Sequence, residues 1–332
     1  MKQSKKVRDA FFDNYKAFLI LCVVVGHFLD HFTEDFRIAE ILRVYIYFFH
    51  IPAFSFISGY FARKNNFRSL IQKLFIPYII FQLIYFFMYT DIGLQPRFTL
   101  LSPFFTLWYL LALFCWRLVI DRLNPIRCLI PISIACSILI GFLPAFHGVG
   151  DIYRIVSFFP FFVMGHRFQV TRFREKICNP VLSRLSAMLM IVFFIFICFN
   201  YDLFEIPVLN CQSSYEAMGV GPAGWIYRLL YILFATCLVY AIGIIMPKKN
   251  MPFTFLGKYT MRVYLCHGVV YKYLSRGTDA LDIINGPSDF CLYLTAVILL
   301  AFALSQVPVE PAIDFIIALP KKMVNRLKRQ YN

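Results

Sequence analysis

Apolar runs recur along this chain from residue 12 to residue 312, and short polar segments between them hold most of its charge. Runs that approach the roughly 20 residues of a membrane-spanning helix predict an all-α integral membrane fold. Ten spans are read, near residues 12–32, 44–62, 70–90, 103–120, 128–146, 151–168, 183–200, 225–246, 257–275 and 290–312. No soluble domain interrupts them, so residues 1–332 read as one membrane domain. The longest connection, 201–224, holds Pro207, Gly219, Gly221 and Pro222, which favour turns.

The first span says most. Its wholly apolar part, Ala17 to Val25, is only nine residues, so a helix that crosses the bilayer must take in polar flanks from Ala10 to Phe32. Lys16 and His27 then lie inside or at the edge of the hydrocarbon. A helix turns about 100° per residue, so His27 lies over Lys16 on one face, about 16 Å further along the axis. Asp13 and Asp30 flank the same stripe. Ionisable groups in a membrane helix are costly and read first as functional. Asp13 and Lys16 can also be read as markers of the cytoplasmic end.

Composition agrees with the pattern: 60% of the 332 residues are hydrophobic and 15% charged, against about 25% charged in a soluble domain. Mean hydropathy is +0.68. The net charge of +15 would suggest a nucleic-acid partner in a soluble chain. Here its distribution matters more, and no nucleic-acid partner is expected. With the N-terminus inside, cytoplasmic segments hold 24 of the 33 basic residues and outer segments hold seven. Both termini are therefore expected in the cytoplasm, in a multi-pass protein of the cytoplasmic membrane. Ser4-Lys5-Lys6-Val7-Arg8 precedes an apolar run as in a signal peptide. No small-residue cleavage site follows, so an uncleaved first helix is expected. The ten cysteines show no metal or redox spacing, and Cys211, alone in an outer loop, predicts no disulfide.

Other polar residues fall at depth. His50 lies about 9 Å below the outer end of the second span, level with His27 in the first. Pro52 removes a backbone hydrogen bond just below it. A site imidazole and a histidine bonded to a neighbouring carbonyl are both open readings of His50. Ser58-Gly59 permits close approach of a backbone or ligand. The following basic segment, Arg63, Lys64, Arg68 and Lys73, suits phosphates or simply obeys the positive-inside bias. Trp108 reads as an interfacial tryptophan or a sugar-stacking platform. Arg262 and His267 lie within the ninth span, where an arginine should find a partner or reach the inner interface. Arg154 reads as an outer interfacial anchor. No phosphate-binding glycine loop, zinc signature or nucleophile elbow is present, and no metal is expected.

Several of these residues stand in an order that resembles acyltransferase family three, the multi-spanning membrane O-acyltransferases, and within it the fucose 4-O-acetylase-like branch. The matching segments are Asp13-x-x-Lys16 with Val-Val-Val-Gly-His27, and Phe-His50-Ile-Pro-Ala-Phe-x-x-x-Ser58-Gly59-Tyr-Phe. Leu-Trp108-Tyr-Leu, Phe159-Pro-Phe-Phe-x-x-Gly165 and Leu256-Gly257-Lys-x-x-x-x-x-Tyr264-Leu-x-His267 follow. Lys16 stands where the family often has arginine. The glutamate that another branch carries after the tryptophan is replaced here by Leu110, Leu111, Ala112 and Leu113.

The resemblance implies acyl-coenzyme A, most simply acetyl-coenzyme A, as cytoplasmic donor substrate, with no permanently bound cofactor. It implies as acceptor a sugar hydroxyl of a cell-envelope carbohydrate (exopolysaccharide, capsule, O-antigen or lipid-linked sugar), often outside or on a lipid carrier, with polysaccharide-biosynthesis proteins as partners. His27 is then the general base or an acyl carrier, with Lys16 and Asp13 as catalytic companions. Lys16 and the segment Arg63, Lys64, Arg68 and Lys73 would hold the coenzyme A phosphates. Asp30, His50, Trp108, Arg262 and His267 would support the acceptor side. A transporter or flippase of polysaccharide or lipid-linked sugar is the alternative. It would favour paired broken helices in two halves, which the sequence does not display.

Overall fold

The computed structural model describes residues 9–62, 66–144, 151–171, 173, 179–316 and 318, and among these it contains helices and no strand. In chain order the helices are α1 (Ala10–Leu29), α2 (Arg37–Tyr47), α3 (His50–Tyr60), the short α4 (Phe67–Leu70) and α5 (Ile76–Asp91). They continue with α6 (Trp108–Leu123), α7 (Leu129–Leu139), α8 (Ile152–His166), α9 (Pro180–Asn200) and the short α10 (Ile206–Leu209). Then come α11 (Gly224–Ile245), α12 (Thr260–Gly277) and α13 (Pro287–Leu304), and residues 309–316 are helical again. A helix falls in each of the ten stretches read from the sequence. Among the described residues, six helical segments are long and apolar enough to cross a membrane, and the helices in 129–142 and 152–166 are shorter.

α1 is the central post. Asp9 caps it by accepting from the Phe11 amide at 3.1 Å, and two-thirds of its apolar window is buried. Asn14 fastens its base: its amide donates to the Pro247 and Lys249 carbonyls at 2.8 and 2.9 Å. Gly257 lies so close to the first turn that a Cβ there would overlap the Asp13 carbonyl oxygen. By contrast α9, capped by Asn179 and started by Pro180, presents most of its surface outward, as a lipid-facing helix does.

The second span departs from expectation in length and in shape. It begins at Arg37 rather than 44, which puts Arg37, Glu40 and Arg43 on helix instead of in a loop. Those charges are tolerated because they are matched. Arg43 donates to Glu40 at 2.7 Å, and the Arg37 guanidinium lies 5.2 Å from the Tyr201 ring centroid. The helix then breaks at Phe48 and Phe49 and restarts at His50. Pro52 has no amide to offer the Phe48 carbonyl, four residues back, which is where a continuous helix would need it.

α3 crosses α8 at backbone contact. A Cβ on Gly59 would overlap the Phe162 carbonyl, and one on Gly165 the Phe56 carbonyl, so each glycine makes room for the other helix. The third span begins at Phe67 and passes through a π-helical turn, Ile71–Phe75. The long connection 201–224 is folded rather than loose. Its own Leu209, Cys211, Tyr215 and Met218 are buried, and the Tyr215 hydroxyl donates to the Ile138 carbonyl at 2.8 Å. It forms a lid over the end of the bundle where α1 finishes.

Candidate active site

Three imidazoles meet under this lid. His27, two residues before the end of α1, has Nδ1 3.0 Å from Nε2 of His267 in the middle of α12. The two rings are nearly parallel, 10° apart, with centroids at 5.2 Å. His50, at the α2–α3 break, stands edge-on to His27 with centroids 6.4 Å apart. α1 packs directly against both α3 and α12, so each contributes one histidine at the same level.

With both rings neutral, the hydrogen bonds fix which nitrogen carries the proton. Nδ1 of His267 lies 3.0 Å from the Val263 carbonyl of its own helix, and a carbonyl only accepts. His267 therefore donates from Nδ1 and accepts at Nε2. His27 must donate from Nδ1 to that nitrogen, which leaves Nε2 of His27 as an unprotonated lone pair. When that lone pair takes a proton, His267 remains an acceptor for the Nδ1–H of the resulting imidazolium. His50 is held likewise, by the Ile46 carbonyl at 3.0 Å.

Two cavities adjoin at His27. The wider, about 480 Å³, lies under the lid and is lined by Asp30, Arg43, Tyr47, His50 and Arg154, with Asn210 and Gln212 from the lid. The narrower, about 120 Å³, runs toward the N-terminal ends of α1 and α12 and is lined by Ser58, Tyr109, Thr260 and Tyr264. His27, Ile51, Thr106 and Trp108 belong to both. The Ser58 and Tyr109 hydroxyls lie 2.9 Å apart across the narrow cavity.

The wide chamber is polar, but its charges are paired. Asp30 accepts from the Tyr47 hydroxyl at 3.2 Å and lies 3.5 Å from Arg43, which also binds Glu40. Arg154 pairs with Asp151 at 3.0 Å, and its guanidinium lies 5.0 Å from the Trp108 ring centroid. Such a lining offers many donors and acceptors with its formal charge largely matched. Among the described residues, no group of three His, Cys, Asp or Glu is placed to hold a metal ion.

Residues 9–306, which build every wall of these cavities, match the family model described as an acyltransferase domain. The chain belongs to acyltransferase family 3. The nodulation protein NolL of Sinorhizobium fredii (strain NBRC 101917 / NGR234) is 28% identical to it over 204 residues, 55% of this chain and 54% of that protein. The chain thus spans about half the length of the curated relative it matches. No solved structure matches.

In this family 3 chain the residues singled out from sequence fall into four groups. His27, His50, His267, Asp30 and Trp108 come together around the two cavities. Asp13 and Lys16 form an ion pair of 2.7 Å at the opposite end of α1, with the Lys16 ammonium 5.5 Å from the Phe61 ring centroid. Arg68 and Lys73 line neither cavity, and Arg63 and Lys64 lie outside the described residues. Arg262 points elsewhere: it pairs with Glu310 and donates to the Ser305 carbonyl at 3.1 Å.

Arg154 requires a correction. It is not an interfacial anchor, since its side chain is only 18% exposed and forms part of the chamber wall. The spacing Asp151-x-x-Arg154, one helical turn, was the available signal. Arg43 was missed because the second span was read from residue 44, whereas Tyr47 fell inside that span and nothing local set it apart from its aromatic neighbours.

Proposed function

We propose that this chain is a membrane O-acyltransferase that moves an acyl group, most simply acetyl, from acyl-coenzyme A to a hydroxyl of a cell-envelope carbohydrate. One observation carries the reading: His27, with a free Nε2 lone pair, borders two cavities that extend toward opposite ends of the bundle. A donor thioester arriving through the narrow cavity would meet an acceptor hydroxyl arriving through the chamber.

The chemistry suits an imidazole. A sugar hydroxyl at its ordinary acidity is a poor nucleophile near neutral pH, and a positioned base takes its proton during attack. His27 Nε2 takes that proton while the hydroxyl oxygen bonds to the thioester carbonyl carbon. The carbon–sulfur bond then breaks, and the imidazolium returns the proton to the departing thiolate. A route in which His27 carries the acyl group covalently uses the same atoms in two steps. The matched charges suit a neutral polyhydroxyl acceptor, because sugar hydroxyls call for many donors and acceptors and for no counter-ion. Membership of an acyltransferase family favours this over transport of the same sugar through the cavity.

Lys16, Arg68 and Lys73 are proposed to meet the coenzyme A phosphates where the narrow cavity is approached. Arg68→Gln and Lys73→Gln should then raise KM for acyl-coenzyme A, more so at low salt, with kcat preserved. Unchanged donor kinetics would reduce these residues to topological signals. The overall reading is tested by giving purified protein labelled acetyl-coenzyme A and candidate glycans. Label in the glycan supports it, and movement of unmodified glycan supports the transporter.

A further inference from the structure

A second cavity system lies on the other side of the lid. A groove of about 600 Å³ runs between α9 and α11, walled by Phe48, Val192, Phe196, Leu209 and Leu230. Val192 and Leu230 are 55% and 58% exposed, so the groove opens sideways, where a membrane protein faces hydrocarbon. Apart from three tyrosines its lining is apolar, with one charged residue.

That residue is Arg228, only 4% exposed and lining the groove at its lid end. Its Nη1 donates to Ser157 Oγ and lies 3.4 Å from the Ser137 carbonyl, and its guanidinium is 5.6 Å from the Tyr215 ring centroid. Its Nη2 has no hydrogen-bond partner among the described residues. No carboxylate among them forms an ion pair with it. A guanidinium stays charged, and a buried cation without an anion is costly in a membrane. Arg228 stands about 6 Å into α11 from Gly224, a depth suited to a lipid headgroup. Phosphate is an anion that guanidinium binds well.

The groove and the histidine chamber share walls. In the lid, Ile206, Asn210 and Gln212 line the chamber, while Val208 and Leu209 line the groove. At the α2–α3 break, Tyr47 and His50 line the chamber and Phe48 the groove. The lid and the α2–α3 break therefore separate a molecule in the groove from the chamber.

We propose that this groove holds the hydrocarbon chain of a sugar linked through phosphate to a long-chain lipid, with the phosphate on Arg228 and the sugar reaching over the lid into the chamber. The proposal rests on the acyltransferase reading for the sugar, but the lipid site stands on its own geometry. It makes the acceptor a membrane-bound intermediate, supplied by a reaction that joins sugar to lipid phosphate.

Native mass spectrometry of the full-length protein in detergent tests it with geranylgeranyl phosphate, geranylgeraniol and phosphatidylglycerol as probes. The phosphate should be retained at least about tenfold better than the alcohol, and Arg228→Gln should erase that difference. Val192→Trp, at a lipid-facing position, should fill the groove and weaken retention of the phosphate by a similar factor without touching Arg228. Should Arg228→Gln fail to fold, the Val192→Trp variant and the phosphate-to-alcohol ratio in the unaltered protein decide. Equal retention of phosphate and alcohol, or of phosphate by both variants, overturns the proposal. Displacement by an equal concentration of phosphatidylglycerol also overturns it, since the groove would then be a general lipid site. Retention as expected, without acyl transfer to any glycan, would count against the enzyme reading and leave the lipid site in place.

Discussion

At the scale of single residues, the site depends on a histidine held by a histidine. The Val263 carbonyl sets the tautomer of His267, and His267 sets that of His27. Removing His267 should leave His27 present but free to turn or protonate at the wrong nitrogen. His267→Ala is expected to lower kcat by about tenfold to a hundredfold with little change in donor KM. His267→Gln, whose side-chain carbonyl can accept the same hydrogen bond, should recover part of the loss. Equal rates for His267→Ala and the unaltered protein, from steady-state kinetics on folded material, would contradict the relay. The sequence marked all three histidines as unusual by their depth alone. It did not pair His27 with His267, because 240 residues separate them and only the packing of α1 on α12 joins them.

At the scale of elements, the two devices that shape the chamber are a break and a crossing. The break at Phe48 and Phe49 was legible in part, since Pro52 announced a missing hydrogen bond. The upstream half of that helix was not. Arg37 and Arg43 look like loop residues until tertiary packing brings Tyr201 and Cys198 to the first and Asp30 to the second, and Glu40 pairs with Arg43 only once both are on one helix. Gly59 and Gly165 were noticed as separate signals, and the fold shows that they serve one contact. Gly59→Ala should push α3 from α8 at backbone level, a clash with a carbonyl that no rotamer relieves. The expected cost is about 1–3 kcal/mol, read as a lowered thermal unfolding midpoint in detergent. An unchanged midpoint would mean that the crossing is looser than described.

At the scale of the whole molecule, the arrangement makes sense as a relay between two sides. The asymmetry of basic residues predicts that a cysteine placed at Asn66 reacts only with a reagent on the cytoplasmic face, and external labelling would reverse the donor assignment. The all-α fold was plain from apolar run length, whereas the lid was not, because turn-forming residues say where a chain bends but not what it covers. The central claim is that acyl transfer passes through His27 between the two cavities. It is tested most directly in proteoliposomes of uniform orientation, with labelled acetyl-coenzyme A on the Asn66 side and the glycan acceptor on the other. The account predicts labelled glycan with the unaltered protein, and a rate lower by at least about 10² with a stably folded His27→Ala. A folded His27→Ala protein that acetylates the glycan at the original rate would contradict it.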